Sequence, residues 1–502
     1  MGVPLFFALA TGSAMWVPYL ALGSLAALYS KNDPYRRRAQ VLAWVGAALV
    51  AAVVLGVWSS SMLTDHHVRL IVVAVFAALA KLLCDVARSG PPGGLIIGFA
   101  CATTAFLPPP VPSLAAVFAA CVSGAMFAWC VCMFPWLFDP HGPTRVAVAR
   151  ALRNVAKLSL PAADDGRARQ EAALQIYTAW TALSASARRR PQSRRTLAAM
   201  TARAESFLLR SCPVSSQEYR ELLKMASHIR FSPRLAFLPT QSERDEIEGL
   251  AMEARAAAAA QRIRFSAFRA IRAACRPSSA EMPGAARVFC GCLLAGGVAL
   301  AVGAGHSYWA AVTAIAILQV SSRTASLHRL IQRIVGTMAG LAICMAVMSS
   351  VSSPFVLAAV IVACMVLGEM LVVRNYGYGM ILITPTAILL VTLATPGDAW
   401  VMTRDRWVDT LIGAAAGVVC AVVVRNRRAF AVLEQSMRRC RNVTETKSPP
   451  LDDESRWQLV LELGSLRAAY EVSKGEYPAR DLPTDELLRI ERCGHELLAS
   501  SG

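Results

Sequence analysis

Eleven apolar stretches fall into two blocks of this chain, and no other feature constrains its fold as strongly. The first block holds them at about 3–28, 39–58, 68–86, 93–107 and 112–137. The second holds them at about 285–304, 308–321, 330–349, 354–373, 376–394 and 407–424. Each is bounded by charge, Pro or Gly and is a candidate membrane span, which needs about 20 residues when it runs perpendicular to the bilayer. Several are shorter, so short or interrupted helices are expected. Length alone would suggest two or three water-soluble domains, but 55% of the 502 residues are hydrophobic, 17% are charged and the mean hydropathy is +0.46. The expected fold is all-α and polytopic. It comprises membrane units at 1–138 and 285–424, a helical domain at 139–284 and a helical tail at 425–502.

Charge assigns the sides. Residues 143–287 hold 25 Lys and Arg against 12 Asp and Glu and so carry +13 of the formal +18. Such an excess marks the cytoplasmic face, where anionic lipid also attracts it. Loops 31–38, 81–90, 144–153, 321–329, 374–375 and 425–428 are basic, whereas 63–67, 108–112, 305–307, 349–354 and 394–400 contain no Lys or Arg. The alternation places the central domain and the C-terminus in the cytoplasm, with the chain crossing the plasma membrane, read as a bacterial inner membrane. The arginines are scattered through helical patterns without an aromatic platform, so the lipid bilayer is an expected partner and nucleic acid is not. Most of the 14 cysteines lie inside apolar runs with nothing closer to a ligand pattern than C-x-C, and they read as packing residues; neither a metal nor another cofactor is expected. The chain has no G-x-x-x-x-G-K-[ST] loop, H-E-x-x-H pair or G-x-S-x-G elbow. An enzyme is not expected, and any transport must be passive or driven by an ion gradient.

The two blocks resemble each other. GSAMWVPYLALGSLAALYSKNDPYRRR aligns with GHSYWAAVTAIAILQVSSRTASLHRLI, matching Trp16 to Trp309, Arg37 and Arg38 to the Arg329–Arg333 region, and, further on, Gly46 to Gly336. Six spans per unit is an even number, so the units face the same way as a parallel repeat of about five and six spans. The counterpart of 285–304 is mostly missing from the N-terminus, through a truly absent helix or a start codon set too far downstream. Outside the membrane a long helix is expected at 241–276, further antiparallel helices near 167–190 and 194–211, and two more over 454–500.

Ionisable groups inside apolar spans cost roughly 2.5–3.5 kcal/mol each on insertion scales, so they face protein or water and are candidates for function. Glu369 precedes Arg374 by five residues near the basic end of a span, and the matching span of the first block carries Lys81 and Asp85. Glu369 is the leading candidate for a proton-coupling carboxylate, against a structural ion pair with Arg374. At the start of the last span, Arg406 and Asp409 are three apart and share a helix face; with Arg404 they could line an outer vestibule or simply position the helix end. Pro385 interrupts an apolar run between Thr384 and Thr386, as a proline kink or as the broken helix at which many transporters bind substrate. Gly336 with Gly340, and Gly413 with Gly417, follow the small-xxx-small rule for close helix packing. His306, Tyr308 and Trp309 read as an interfacial belt at the outer end of a helix.

HSYWAAVTAIAILQ, RLIQRIVGTMAG, GEMLVVRNYGYGMILITPTAILL and RWVDTLIGAAAG occur in this order over 285–424. The stretch resembles the fusaric-acid-resistance family of inner-membrane proteins, which includes aromatic carboxylic acid exporters. The resemblance implies two membrane units with helical cytoplasmic parts, a homodimer and efflux of hydrophobic weak acids. Carried over by motif, its positions of interest are Trp309, Gln319, Arg333, Gly336, Glu369, Arg374, Asn375, Tyr376, Pro385, Arg406, Asp409 and Gly413. GYG at 377–379 departs from the apolar residues usual there. Together these readings point to proton-gradient-dependent efflux of aromatic or other amphipathic organic acids. A passive organic-anion channel and a non-transporting membrane scaffold are the alternatives.

Overall fold

The computed structural model describes residues 14–87, 89–106, 113–159, 165–184, 191–209, 216–231, 281–320, 323–351, 353–394, 399–424, 428–446, 451–476 and 482–499, with isolated positions 2, 6, 10, 272, 279 and 426. Every regular element among them is helical. In chain order the α-helices are α1 (Val17–Ser24), α2 (Tyr35–Met62), α3 (His66–Val86), α4 (Leu95–Phe106), α5 (Leu114–Met133), α6 (Gly142–Ala156), α7 (Asp165–Ser184), α8 (Pro191–Leu209) and α9 (Ser216–Phe231). There follow α10 (Met282–Ala301), α11 (Tyr308–Ile317), α12 (Arg323–Ser350), α13 (Pro354–Val372), α14 (Tyr376–Ala394), α15 (Ala399–Val423), α16 (Ala429–Thr446), α17 (Asp453–Lys474) and α18 (Thr484–Ala499). The expected long helix over 241–276 lies outside the described residues but for Arg272. The same holds for the N-terminal counterpart of 285–304, apart from Gly2, Phe6 and Ala10. The chain divides into a membrane unit of residues 1–30, 41–132 and 267–426 and a second unit of residues 31–40, 133–266 and 427–502.

Among the described residues, seven helices are long and apolar enough to cross a bilayer, and shorter apolar helices occupy Val17–Leu28, Leu95–Phe106, Tyr308–Ile317 and Tyr376–Thr392. The chain is thus a polytopic helical membrane protein, with the short helices that the sequence leads one to expect. One boundary differs from the sequence reading in a way that matters. The last span begins at Ala399 rather than near 407, so Arg404, Asp405, Arg406 and Asp409 lie inside α15 instead of at its mouth. Charge normally ends an apolar run; here the helix continues because much of that charge is turned into protein, Asp405, Arg406 and Asp409 being buried and Arg404 exposed.

Small residues set the packing. Gly303, at φ +73°, supplies the left-handed turn that ends α10 and lets the chain re-enter as α11. All ten residues of α11 are buried, enclosed by α4, α10 and α15. A Cβ at Gly413 would collide with the Ala310 carbonyl oxygen and lie 2.7 Å from Thr313 Cβ, and one at Gly417 would lie 3.3 Å from Ile317. On the other side, α14 packs against α12 and α13. A Cβ at Gly336 would lie 2.6 Å from the Gly377 carbonyl oxygen, and one at Gly340 2.8 Å from that of Ile381 and 3.1 Å from Pro385 Cδ. Helix axes this close leave no room for a branched side chain. Gly413→Val is therefore expected to destabilise the membrane unit by about 1–3 kcal/mol through overpacking, read as a lower thermal unfolding midpoint in detergent.

The second unit has two hydrophobic clusters. The first joins α6, α7, α8 and α9 around Leu152, Ile176, Trp180, Leu197 and Leu222, and the second joins α16, α17 and α18 around Leu433, Leu463, Leu466 and Leu487. The fully buried Trp180 donates its indole N–H to Glu205 Oε2 at 2.9 Å, and Arg456 Nη1 lies 3.8 Å from Glu205 Oε1. One buried carboxylate thereby serves groups on α7 and α17. Glu205→Ala would leave the indole N–H without this acceptor and Arg456 without this carboxylate, for an expected loss of about 2–3 kcal/mol. Faster cleavage of the second unit by a protease at limiting concentration would register it.

Candidate functional site

The site lies in the membrane unit where α11, α12, α14 and α15 contribute polar groups to an otherwise apolar interior. From α15 comes Arg406, whose guanidinium lies 3.6 Å from the centroid of the Trp309 ring on α11. One turn along, Asp409 is fully buried and neither of its carboxylate oxygens has a hydrogen-bond partner. From α12 comes Arg333, also buried, whose Nη1 donates to the Tyr376 hydroxyl of α14 at 3.1 Å and lies 3.5 Å from the Met380 sulfur. Arg329, one turn earlier, stacks over the Tyr376 ring at 4.1 Å. Arg406 is within electrostatic reach of Arg333, Asp409, Tyr308 and Tyr376, which makes these residues one group.

Hydrogen bonding in this group is incomplete. Besides Asp409, the Nε and Nη1 of Arg406, the Nε of Arg333 and the hydroxyls of Tyr308, Thr313, Thr337 and Thr384 are buried without a partner. A buried polar group without a partner costs on the order of 1–3 kcal/mol, and more when charged. Three arginines, Arg329, Arg333 and Arg406, against two aspartates, Asp405 and Asp409, also leave a net positive charge in an apolar unit. Structural ion pairs do not need this surplus of cation and of unused donors, whereas a site for an anion does.

Rings hold the arginine in place. Trp309 packs against Phe99 of α4 at 5.6 Å and against Tyr308 at 5.0 Å, and Tyr308 continues to Phe106 at 6.5 Å and thence to His66 at 6.1 Å. With the cation over one ring of this row, the guanidinium edge is oriented while its donors stay available. Tyr308 and Trp309 are buried at 2% and 6% exposure, so they do not form the interfacial belt that their position suggested. Before α11, the His306 Nδ1 lies 3.1 Å from Asp405 Oδ2, and Gly305 approaches the same oxygen so closely that a Cβ there would lie 2.6 Å away.

Of the residues singled out from the sequence, Trp309, Arg333, Tyr376, Arg406 and Asp409 fall in this group. Thr384 sits one turn beyond Met380 on the same seam, and Pro385 faces Gly340 there. Asn375 accepts the Gly377 backbone N–H at 2.8 Å and caps the start of α14. Glu369 is half-buried in the last turn of α13, and Arg374 is exposed in the connection beyond it. Lys81 is buried and pairs with Asp85 at 2.5 Å on α3, with Glu281 nearby. Thr313, Thr337 and Asp405 were missed: a threonine within an apolar helix commonly bonds back to its own backbone and gives no signal in sequence.

Residues 293–420 match the fusaric acid resistance protein-like family. Over 511 aligned residues the chain is 23% identical to the uncharacterized membrane protein YvaC of Bacillus subtilis (strain 168), an alignment covering 95% of this chain and 80% of that protein. No solved structure matches the chain. The chain is a multi-pass helical membrane protein whose segment 293–420, which holds Trp309, Arg333, Tyr376, Arg406 and Asp409, is similar to the fusaric acid resistance protein-like family.

Proposed function

We propose that the protein exports aromatic or other amphipathic organic acids as anions, using the gradient that proton pumping maintains. The observation that carries this reading is the buried, under-paired cluster of Arg333, Arg406 and Asp409 beside Trp309 and Tyr376. Weak acids cross membranes neutral and ionise inside, so their removal needs a cationic site. With both aspartates ionised, Arg329, Arg333 and Arg406 against Asp405 and Asp409 carry a single positive charge, which one substrate carboxylate cancels. The loaded site is then neutral, the form least costly within an apolar unit. Driving one anion outward across about 100 mV, inside negative, gains about 2.3 kcal/mol, roughly a fifty-fold concentration ratio. A protonophore removes this force. Glu369, half-buried in the last turn of α13, is not required to carry a proton in this mechanism; Asp409 instead competes with the substrate for Arg406 and speeds release.

The basic loops support a bacterial inner membrane with the second unit in the cytoplasm, and the resemblance adds a homodimer. Helix order supports a parallel repeat: α2 and α12 are both 28 residues long, each follows a short apolar helix, and α14 packs on α1 as α11 packs on α4. The test is saturable binding of a radiolabelled aromatic carboxylate to the purified protein. Competition by other aromatic carboxylates and none by the corresponding neutral amides is expected; equal competition by the amides would remove the anion site. Voltage-driven unitary currents in a planar bilayer would replace export by a passive channel.

A further inference from the structure

Arg406 and Asp409 stand three residues apart on α15, a spacing at which opposite charges pair, yet no hydrogen bond joins them. The guanidinium lies over the Trp309 ring instead, 3.6 Å from its centroid. No neighbouring hydroxyl takes up the carboxylate either. Those of Tyr308 and Thr313 on α11 are themselves without partners, and that of Thr410 donates to the Arg406 carbonyl at 2.7 Å. The other aspartate of the group differs. Asp405 has His306 Nδ1 3.1 Å from its Oδ2 and Arg404 Nε 3.9 Å from its Oδ1. Asp409, fully buried, therefore keeps two unused acceptors one turn from a guanidinium that keeps unused donors.

Resting on the anion site proposed above, we propose that the preferred substrate is an aromatic carboxylate that also bears a primary amine, its carboxylate accepting from Arg406 and Arg333 and its N–H groups donating to Asp409. A carboxylate alone satisfies the arginines but leaves Asp409 buried, unpartnered and repelling it. An amine turns that repelling neighbour into a partner. Two unused oxygens call for two donors, which a primary amine supplies and a hydroxyl does not. An amine on an aromatic ring stays uncharged near neutral pH, so the substrate keeps the one negative charge that cancels the surplus of the cluster. An alkylammonium acid, neutral overall, does not cancel it. Cβ atoms three residues apart on a helix are separated by about 5–6 Å, a gap that a benzene ring with its two substituents can bridge. A site that hydrogen-bonds a substrate N–H rejects the analogue lacking it, because its own buried acceptors are then left unpaired.

The test is equilibrium dialysis of the purified full-length protein against ortho-, meta- and para-aminobenzoate, each compared with the methylbenzoate of the same substitution. A methyl group matches the amine in size and donates nothing. At least one aminobenzoate should bind at least about tenfold more tightly than its methyl counterpart, the worth of a hydrogen bond to a charged group. In Asp409→Leu, which offers no acceptor, that preference should vanish; in Asp409→Asn, which offers one uncharged acceptor, it should shrink. Reading the ratio of the two acids in each protein removes any general gain in anion binding from the lost negative charge. The two variants also guard against one of them failing to fold. Equal binding within all three pairs by the wild type would overturn the amine and leave the anion site standing. A preference undiminished in the folded variants would overturn the role given to Asp409. Failure of all six acids to bind would remove the anion site itself, and the amine with it.

Discussion

Arg406→Gln is expected to weaken binding of an aromatic carboxylate by about a hundredfold, with the fold intact. Removing one partner of a buried charged pair costs roughly 2–5 kcal/mol, and about 2.7 kcal/mol is a factor of a hundred. Much of that loss falls on binding here, because the Arg406 Nε and Nη1 have no protein acceptor to lose. The shape is largely preserved, since glutamine can still lie against Trp309, though without the cation over the ring. Equilibrium dialysis of the purified variant against the labelled acid measures the effect, and an unchanged unfolding midpoint separates it from misfolding.

Asp409→Asn should act in the opposite direction on binding and in the same direction on export. Its carboxylate competes with the substrate for Arg406. At an effective dielectric of about 20 and a separation of about 6 Å, removing that charge strengthens the hold on an anion by up to about 3 kcal/mol, so binding at least about tenfold tighter is expected. Tight binding without the competing carboxylate slows release, and net efflux should fall by about tenfold or more. A variant that bound more weakly and exported normally would show that Asp409 serves the fold alone. Asn keeps the size of the side chain, and dialysis and efflux together distinguish the outcomes.

The membrane fold was largely legible because hydrophobicity and helix length report directly on a bilayer. Each of the eleven apolar stretches overlaps a described helix, including the short ones. Legibility failed where charge enters a helix. RDRWVDT reads as the end of a loop because Arg404, Asp405 and Arg406 interrupt the apolar run, yet α15 begins five residues before Arg404 and buries Arg406 and Asp409. Glu369 attracted attention because a lone carboxylate in an apolar run is easily seen in sequence, whereas the convergence of Arg333, Tyr376 and Arg406 from α12, α14 and α15 exists only in three dimensions. Arg333 came forward through the family resemblance, its own helix start being basic throughout. Trp309 was placed at an interface because aromatic residues next to His at a helix end usually lie there; the enclosure of α11 by its neighbours buries it instead.

The central claim is that the Arg333, Arg406 and Asp409 cluster is an anion site through which organic acids leave the cell. Its most direct test is the retention of radiolabelled aromatic carboxylic acids by cells with the wild-type protein, with Arg406→Gln at equal abundance, and without either, each with and without a protonophore. The account predicts lower retention of at least one acid with the wild type alone, raised to the level of cells lacking the protein by the protonophore or by Arg406→Gln. Equal retention of every acid in all three strains, or undiminished efflux by Arg406→Gln, would contradict it.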